Sequence, residues 1–176
     1  MKKERTEILI SEKELDKRIG EIAEQINKDF EGKDISLVCV LKGGIMFMTD
    51  IAKKLKGTVE FEFIDVSSYH GGQQSTGQLT INKDLETSIE GKHVILLEDI
   101  VDTGRTLSYL IQYLKEKNPA SLKLCTLLDK PSRRVVDINA DYIGFTIPDA
   151  FIVGYGLDYQ QRYRNLPYIG ILHFEE

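Results

Sequence analysis

Cysteine is scarce in this chain: two among 176 residues, Cys39 and Cys125. Each sits inside an apolar run, "LVCVL" and "LKLCTLL", so both read as buried, reduced thiols and not as a disulfide or metal ligands. The three histidines are scattered, and no Cys/His set stands at zinc spacing. No apolar run approaches the ~20 residues that a membrane span needs. The opening "MKKERTEILI" is too charged for a secretory signal. A cytoplasmic protein that does not engage membranes is the expectation. Positive charge is also short. Lys and Arg number 23 against 28 Asp and Glu, a net −5 at pH 7, which argues against a broad nucleic-acid-binding face. Internal repeats and low-complexity segments are missing too, so one domain spanning 1–176 is expected, large enough to bury a core.

What remains is an ordinary globular composition, 41% apolar and 29% charged, with strong local patterning. "SEKE" at 11–14 has the form of a capping box. Leu15, Ile19, Ile22, Ala23 and Ile26 follow at helical spacing, which predicts an amphipathic helix over 12–30. "ISLVCVL" (35–41) reads as a strand covered on both faces. Met48, Ile51, Ala52 and Leu55 form a second helical stripe. "TVEFEFIDVSSY" (58–69) alternates as a strand does, and "HVILLED" (93–99) is a β-branched run. A helix through Leu107, Leu110, Ile111 and Leu114 should stop near Asn118-Pro119. "SLKLCTLL" (121–128) is a further strand, with shorter candidates at 141–145, 151–155 and 168–174. Strands and helices alternating in this order predict an α/β domain with a largely parallel sheet flanked by helices. In such sheets ligands gather beyond the carboxyl ends of the strands, where Lys42, Glu98 and Lys130 fall.

The most informative stretch is "LLEDIVDTGRTL" (96–107). An apolar strand runs into three carboxylates, Glu98, Asp99 and Asp102, and then into a turn that opens a helix. Backbone N–H groups at such a turn can cradle an anion, reinforced by the positive end of the helix. Gly104 permits close approach, and Thr103, Arg105 and Thr106 add donors, so a phosphate monoester fits. The Walker pattern G-x-x-x-x-G-K-[ST] is absent. Glu98 and Asp99 suit vicinal hydroxyls or a hydrated magnesium ion. A ligand with phosphate on one side and a diol on the other is a ribose 5-phosphate. The plain alternative is an acidic turn capping an ordinary helix.

"VILLEDIVDTGRTL" resembles the signature of the type I phosphoribosyltransferases, which bind 5-phosphoribosyl 1-pyrophosphate. Within that family the likeness is nearest to the hypoxanthine-guanine branch. It extends over nearly the whole chain, through "LVCVLKGG", "SSYHGG", "LLDKP" and "IPDAFIVGYGLDYQQRYRNLP" in order. The resemblance implies a fold in which terminal segments form a small hood over the core, the part from about 130 to 176 contributing to it. It also implies roles. Glu98 and Asp99 hold the ribose hydroxyls, residues 103–106 hold the 5-phosphate, and Asp102 is the acid/base facing N7 of a purine. Magnesium is the implied cofactor, served by Glu98 and Asp99 and, through water, by Asp158.

The remaining stretches carry a plain reading beside the implied one. "LKGG" is by spacing a glycine turn; the resemblance makes Lys42, Gly43 and Gly44 a pyrophosphate cradle, entered by a Leu41–Lys42 peptide that can be cis. "SSYHGGQQSTGQ" (67–78) is a surface hairpin or a lid, with Ser68 and Tyr69 closing over pyrophosphate to exclude water. Lys130 is a strand-end lysine or the donor to a purine 6-oxygen. An ammonium only donates, so it accepts a 6-oxo group and rejects a 6-amino group. Arg133 and Arg134 read as solvated. Phe151 is by default a core aromatic; the resemblance has it stacking on the purine, with Ile152 backbone groups reading the base edge and Arg164 reaching pyrophosphate. Tyr155, Tyr159, Tyr163 and Tyr168 read as packing residues.

The implied function is purine salvage: transfer of the 5-phosphoribosyl group to N9 of hypoxanthine or guanine. A xanthine/guanine-preferring transferase and a regulator that senses 5-phosphoribosyl 1-pyrophosphate are the alternatives. The expected partners are that ligand and a 6-oxopurine, and a homodimer or homotetramer is the expected assembly.

Overall fold

The computed structural model describes residues 3–68 and 79–175. Its core is a six-stranded sheet in the order β4-β3-β2-β5-β6-β7. The strands are β2 (Ile35–Val40), β3 (Val59–Ser68), β4 (Leu79–Lys83), β5 (His93–Val101), β6 (Ser121–Asp129) and β7 (Tyr142–Thr146). All neighbours pair in parallel except β4, which returns antiparallel along β3 from Ser68↔Leu79 to Asp65↔Lys83. That pairing is the base of the expected hairpin; its tip, residues 69–78 with Tyr69, lies outside the described residues.

Two helices, α1 (Glu12–Asp29) and α2 (Ile45–Ala52), cover one face, and α3 (Arg105–Lys115) covers the other. The alternation of β2 shows why its sequence reads as one apolar run. Ile35, Leu37 and Cys39 join the core under α1 and α2, while Val38 and Val40 join the core under α3. In β5, Ile95 and Leu97 face the first core, and Val94 and Leu96 the second. Helix α1 starts on the expected capping box: the Ser11 hydroxyl accepts from Glu14 N–H at 3.3 Å, and Ser11 N–H donates to Glu14 Oε2 at 2.8 Å. Its stripe Leu15, Ile19, Ile22, Ala23 and Ile26 is buried. No helix among the described residues is long and apolar enough to cross a membrane.

A separate three-stranded antiparallel sheet, β1-β9-β8, joins the two ends of the chain. It comprises β1 (Lys3–Ile10), β8 (Ile152–Val153) and β9 (Ile169–Glu175), and it is the hood. Sequence patterning gave no sign of β1, because "KERTEILI" carries little apolar alternation; its backbone pairing to β9, from Lys3↔Glu175 to Ile10↔Ile169, defines it instead. The candidate at 151–155 shrinks to two residues, because Gly154 and Tyr155 take positive φ, +96° and +49°, and turn the chain away. Strand β5 runs two residues further than expected, to Val101, so Glu98 and Asp99 are followed by two more strand residues.

The order of the parallel strands sets the site. From β2 the chain goes outward to β3 and then returns to β5 on the other side of β2. The β2–β5 pairing ends at Cys39↔Leu97, and beyond it the loop after β2 and the last residues of β5 meet. Such a reversal of strand order is where open α/β sheets bind ligands.

Candidate active site

Two peptide segments meet at this strand end. Beyond β2, the Leu41–Lys42 peptide is cis, and Gly43 and Gly44 lead into α2. Across from them, Glu98 and Asp99 project from β5. The fit is tight. A Cβ on Gly43 would sit 1.6 Å from Asp99 Oδ2, and one on Gly44 would sit 3.1 Å from Cys39 Sγ. On the other side, a Cβ on Gly156 would sit 2.1 Å from the Gly43 carbonyl oxygen. Glycine is thus required at 43 and 156 for the loop after β2, the β5 carboxylates and the 154–166 loop to meet.

Glu98 is buried, 8% exposed. Burial, together with the Asp99 charge beside it, pushes its carboxyl well above the usual range. Asp99 is also pushed up by burial, against hydrogen bonds and the Arg164 charge that favour its ionised form. Their backbone contacts are local: Glu98 Oε1 accepts from Asp99 N–H at 3.1 Å, and Asp99 Oδ1 from Ile100 N–H at 2.6 Å. Neither forms an ion pair among the described residues. A buried carboxylate and a half-buried one side by side, with no ion-pair partner among the described residues, suit a hard divalent cation or a sugar diol.

The 154–166 loop brings the basic groups. Arg164 donates to the Gly156 carbonyl at 2.6 Å, pairs with Asp158 Oδ1 at 2.9 Å and donates to Gln161 Oε1 at 3.2 Å. Its Nε–H is buried and finds no acceptor among the described residues. Lys42 Nζ reaches the same Gln161 oxygen at 3.5 Å. The two expected pyrophosphate cations are therefore brought together, with Gln161 between them. Asp158 is held by Arg164 and by Gln161 N–H at 2.7 Å, and not by the Glu98–Asp99 pair. Among the described residues no group of three or more His, Cys, Asp or Glu side chains is placed to ligate a metal directly.

At the turn after β5, Gly104 takes φ +84° as the N-cap of α3. A side chain there would meet Ile138 Cγ2 at 2.6 Å and Val136 Cγ2 at 2.9 Å. The segment that packs on it also donates to the turn: Val135 N–H donates to the Thr103 carbonyl at 3.1 Å. Thr103 Oγ1 accepts from Arg105 N–H at 3.5 Å, and Arg105 itself is exposed. Residues 103–106 thus form a braced turn at the head of α3, four to eight residues beyond Glu98 and Asp99.

A cavity of about 340 Å³ lies beyond the ends of β5 and β6, lined by Asp102, Lys130, Arg133, Asp149, Phe151 and Ile152 among others. Lys130 is 7% exposed; its Nζ donates to the Ala150 carbonyl at 3.0 Å and stands 3.6 Å from Asp149 Oδ1. Phe151 is 48% exposed, not the core aromatic its surroundings in the sequence suggest. Its ring meets Tyr159 and Phe174 edge-on, at centroid distances of 5.5 and 6.2 Å. Ile152 is buried in β8. A larger depression, about 850 Å³, opens around Asn27, Lys33 and Gly57, but none of the residues above lines it.

Several members of this site were not singled out in the sequence. Arg133 is not simply solvated: its Nε donates to Asp102 Oδ1 at 3.3 Å, and its Nη1 lies 3.8 Å from Asp149 Oδ2. Arg134 is partly buried, donating to Asp129 and, at 3.1 Å, to the Ile138 carbonyl. Asp149 and Gln161 were missed altogether. Asp149 stands two residues before Phe151, so a carboxylate beside the stretch expected to face the base was the available signal. Gln161 offered none, since its place depends on the loop's left-handed residues, φ +53° at Gln160 and +63° at Gln161.

Residues 6–160 match the family model described as phosphoribosyl transferase domain. The chain is 53% identical over 165 residues to the bifunctional protein TilS/HprT of Listeria monocytogenes serotype 4b (strain F2365), an alignment that covers 94% of this chain but 26% of that relative. It is 48% identical over 175 residues to the hypoxanthine-guanine phosphoribosyltransferase of Streptococcus thermophilus (strain CNRZ 1066), covering 99% and 97% of the two chains. In structure it resembles the hypoxanthine-guanine phosphoribosyltransferase of Bacillus anthracis str. 'Ames Ancestor', solved with a HEPES molecule in its active site. The TM-score is 0.92 at 45% identity, covering 97% of this chain and 99% of that one. With paired carboxylates, a glycine turn and a cavity at the carboxyl ends of neighbouring strands, the chain belongs to the phosphoribosyl transferase domain family.

Proposed function

We propose that this protein transfers the 5-phosphoribosyl group of 5-phosphoribosyl 1-pyrophosphate to N9 of hypoxanthine or guanine, a purine-salvage reaction. The observation that carries the reading is the 340 Å³ cavity, within the ~300–1,000 Å³ of small-molecule sites. It combines a donor-only ammonium, Lys130, an exposed ring, Phe151, and a carboxylate, Asp102.

In the reaction the bond from ribose C1 to the pyrophosphate oxygen breaks, and the bond from C1 to N9 forms. Phe151 stacks on the base, Ile152 backbone groups read its edge and Lys130 donates to the 6-oxygen. Asp102 takes the proton that the base releases, at N7. Residues 103–106 hold the 5-phosphate, and Lys42, Gly43, Gly44 and Arg164 neutralise and orient pyrophosphate. Glu98 and Asp99, which have no ion-pair partner among the described residues, fit magnesium and would hold it with Asp158; the ion would supply charge neutralisation of the leaving group when bound. We assign the same two carboxylates to the ribose hydroxyls.

The chain acts as one domain in this proposal, the part beyond about residue 130 contributing the purine side of the hood. It works in the cytoplasm as a homodimer or homotetramer. The buried, unpaired cysteines support a reducing compartment.

The test is turnover with 5-phosphoribosyl 1-pyrophosphate and magnesium, with hypoxanthine, guanine, xanthine and adenine supplied separately and nucleotide formation followed by absorbance. Hypoxanthine and guanine should react and adenine should not. Turnover of xanthine alone would overturn the substrate assignment while keeping the mechanism. Binding without turnover of any base would replace the enzyme with a sensor.

A further inference from the structure

The base cavity is rimmed by four alternating charges. Asp102 accepts from Arg133 Nε at 3.3 Å; Arg133 Nη1 lies 3.8 Å from Asp149 Oδ2; and Asp149 Oδ1 lies 3.6 Å from Lys130 Nζ. One carboxylate, Asp149, thus faces both cations, one with each oxygen. We propose that Asp149 is a positioning residue that sets the base specificity of this site: it fixes the direction of the Lys130 ammonium and, through Arg133, the direction of the Asp102 carboxylate. This rests on the purine-transferase reading above and extends it.

The local chain explains how the bridge forms. Lys130 leaves β6 and is followed at once by a single 3-10 turn, Pro131–Arg133. Within it Arg133 N–H donates to the Lys130 carbonyl at 3.2 Å. That turn folds the chain back, so Lys130 and Arg133 line the same cavity. Opposite them, Pro148–Ala150 makes a tight bend, with Ala150 N–H donating to the Pro148 carbonyl at 2.9 Å. Asp149 sits at the bend and Ala150 turns its carbonyl to Lys130.

The chemistry follows from counting donors. The ammonium has three N–H groups. One is taken by the Ala150 carbonyl and a second is drawn to Asp149 Oδ1, which leaves one for a ligand. A single donor held in one direction accepts a 6-oxo group and opposes a 6-amino group. An ammonium free to turn away no longer opposes it, so selectivity depends on the anchor as well as on the lysine. Asp102 is held in a comparable way. Its only side-chain partner among the described residues is Arg133, which is tethered by the other oxygen of Asp149.

The experiment compares Asp149→Asn, Asp149→Glu and Arg133→Gln with the unaltered protein. Steady-state kinetics are measured for hypoxanthine and adenine, with binding of 5-phosphoribosyl 1-pyrophosphate measured separately by calorimetry. The unaltered protein tests the reading itself: if it turns over no purine, that reading fails before the variants are considered. If it is active, Asp149→Asn should lower the hypoxanthine-over-adenine ratio of kcat/KM at least tenfold. Binding of the phosphoribosyl ligand should stay within twofold, and Asp149→Glu should restore part of the ratio. A packing defect would lower both bases together, so an unchanged ratio overturns the proposal. If Asp149→Asn also loses the phosphoribosyl ligand, Arg133→Gln decides. It cuts the bridge from the other side and leaves the contacts of Lys130 in place. A fall in kcat of fivefold or more at unchanged KM for hypoxanthine supports the bridge, and an unchanged kcat overturns it.

Discussion

Asp99 and Gly43 are in contact through space that only glycine leaves open: a methyl group on Gly43 would lie 1.6 Å from Asp99 Oδ2. That contact joins the end of β2 to the acidic end of β5. The Gly43 carbonyl is pressed in turn against Gly156, so the loop after β2, the β5 strand end and the 154–166 loop form a three-layer stack. Replacing Gly43 by alanine must displace either the carboxylate or the cradle. The expected outcome is a fall in kcat/KM for 5-phosphoribosyl 1-pyrophosphate of a hundredfold or more, about 2.7 kcal/mol. Steady-state kinetics at saturating base would show it. Activity within threefold of the parent would mean that the contact has no part in the site.

Gly20 makes the opposite case. It lies in the interior of α1, and a Cβ there meets nothing within 4 Å. Gly20→Ala should therefore stabilise the fold by about 0.5–1 kcal/mol, through helix propensity and a less flexible unfolded chain. That corresponds to a rise in Tm of up to ~4 °C. A calorimetric scan that shows a lower Tm would reveal a contact absent from this packing.

The cap of the same helix gives a loss of similar size. Ser11 and Glu14 satisfy each other's backbone N–H groups. Ser11→Ala should cost about 1 kcal/mol, measurable as a lower midpoint in urea at unchanged slope.

Much of this was legible beforehand, for reasons that differ by element. The capping box and the stripe of α1 are local signals, and both gave the helix to within a residue. The β2 and β5 cores were legible because burial on both faces forces a continuous apolar run. The carboxylates, the glycines and Lys130 could be picked out because their chemistry is unusual at strand ends. Strand β1 could not, since it exists by pairing with β9 at the far end of the chain, and pairing partners leave no mark on a short polar segment. Asp149 and Arg133 were hidden for a related reason. Each looks like an ordinary surface charge until two separate turns bring them face to face.

The two cysteines should be inert in the folded protein. Cys39 is fully buried, and burial, with the Glu98 and Asp99 charges nearby, pushes its thiol up to about 12. Burial pushes Cys125 up as well. At pH 8 the thiolate of Cys39 is roughly one part in 10⁴, and the thiolate is the reactive form. Iodoacetamide at pH 8 should therefore modify neither cysteine under native conditions and both in denaturant, read by intact mass. The sign for stability follows. Above the ordinary thiol pKa of ~8.5, the unfolded chain releases protons that the folded chain keeps. Stability should fall as pH rises from there towards 12.

The sharpest test concerns Asp102. Its carboxylate accepts from Arg133 Nε at 3.3 Å, and the carbonyl oxygen of an asparagine can accept the same bond. Asp102→Asn should consequently keep the side chain in place and leave the cavity almost unchanged in shape. What it removes is the capacity to take up a proton. A well-placed acid or base contributes typically ~10²–10⁴-fold to the rate, so kcat for hypoxanthine should fall by that amount. The KM values for hypoxanthine and 5-phosphoribosyl 1-pyrophosphate should remain within a few-fold of the parent's. That pattern, a loss in kcat at preserved binding, marks an interaction made only as the reaction proceeds. Turnover equal to that of the parent would take the proton from Asp102 and return it to solvent. A large rise in KM for hypoxanthine at unchanged kcat would instead make Asp102 a binding group for the base.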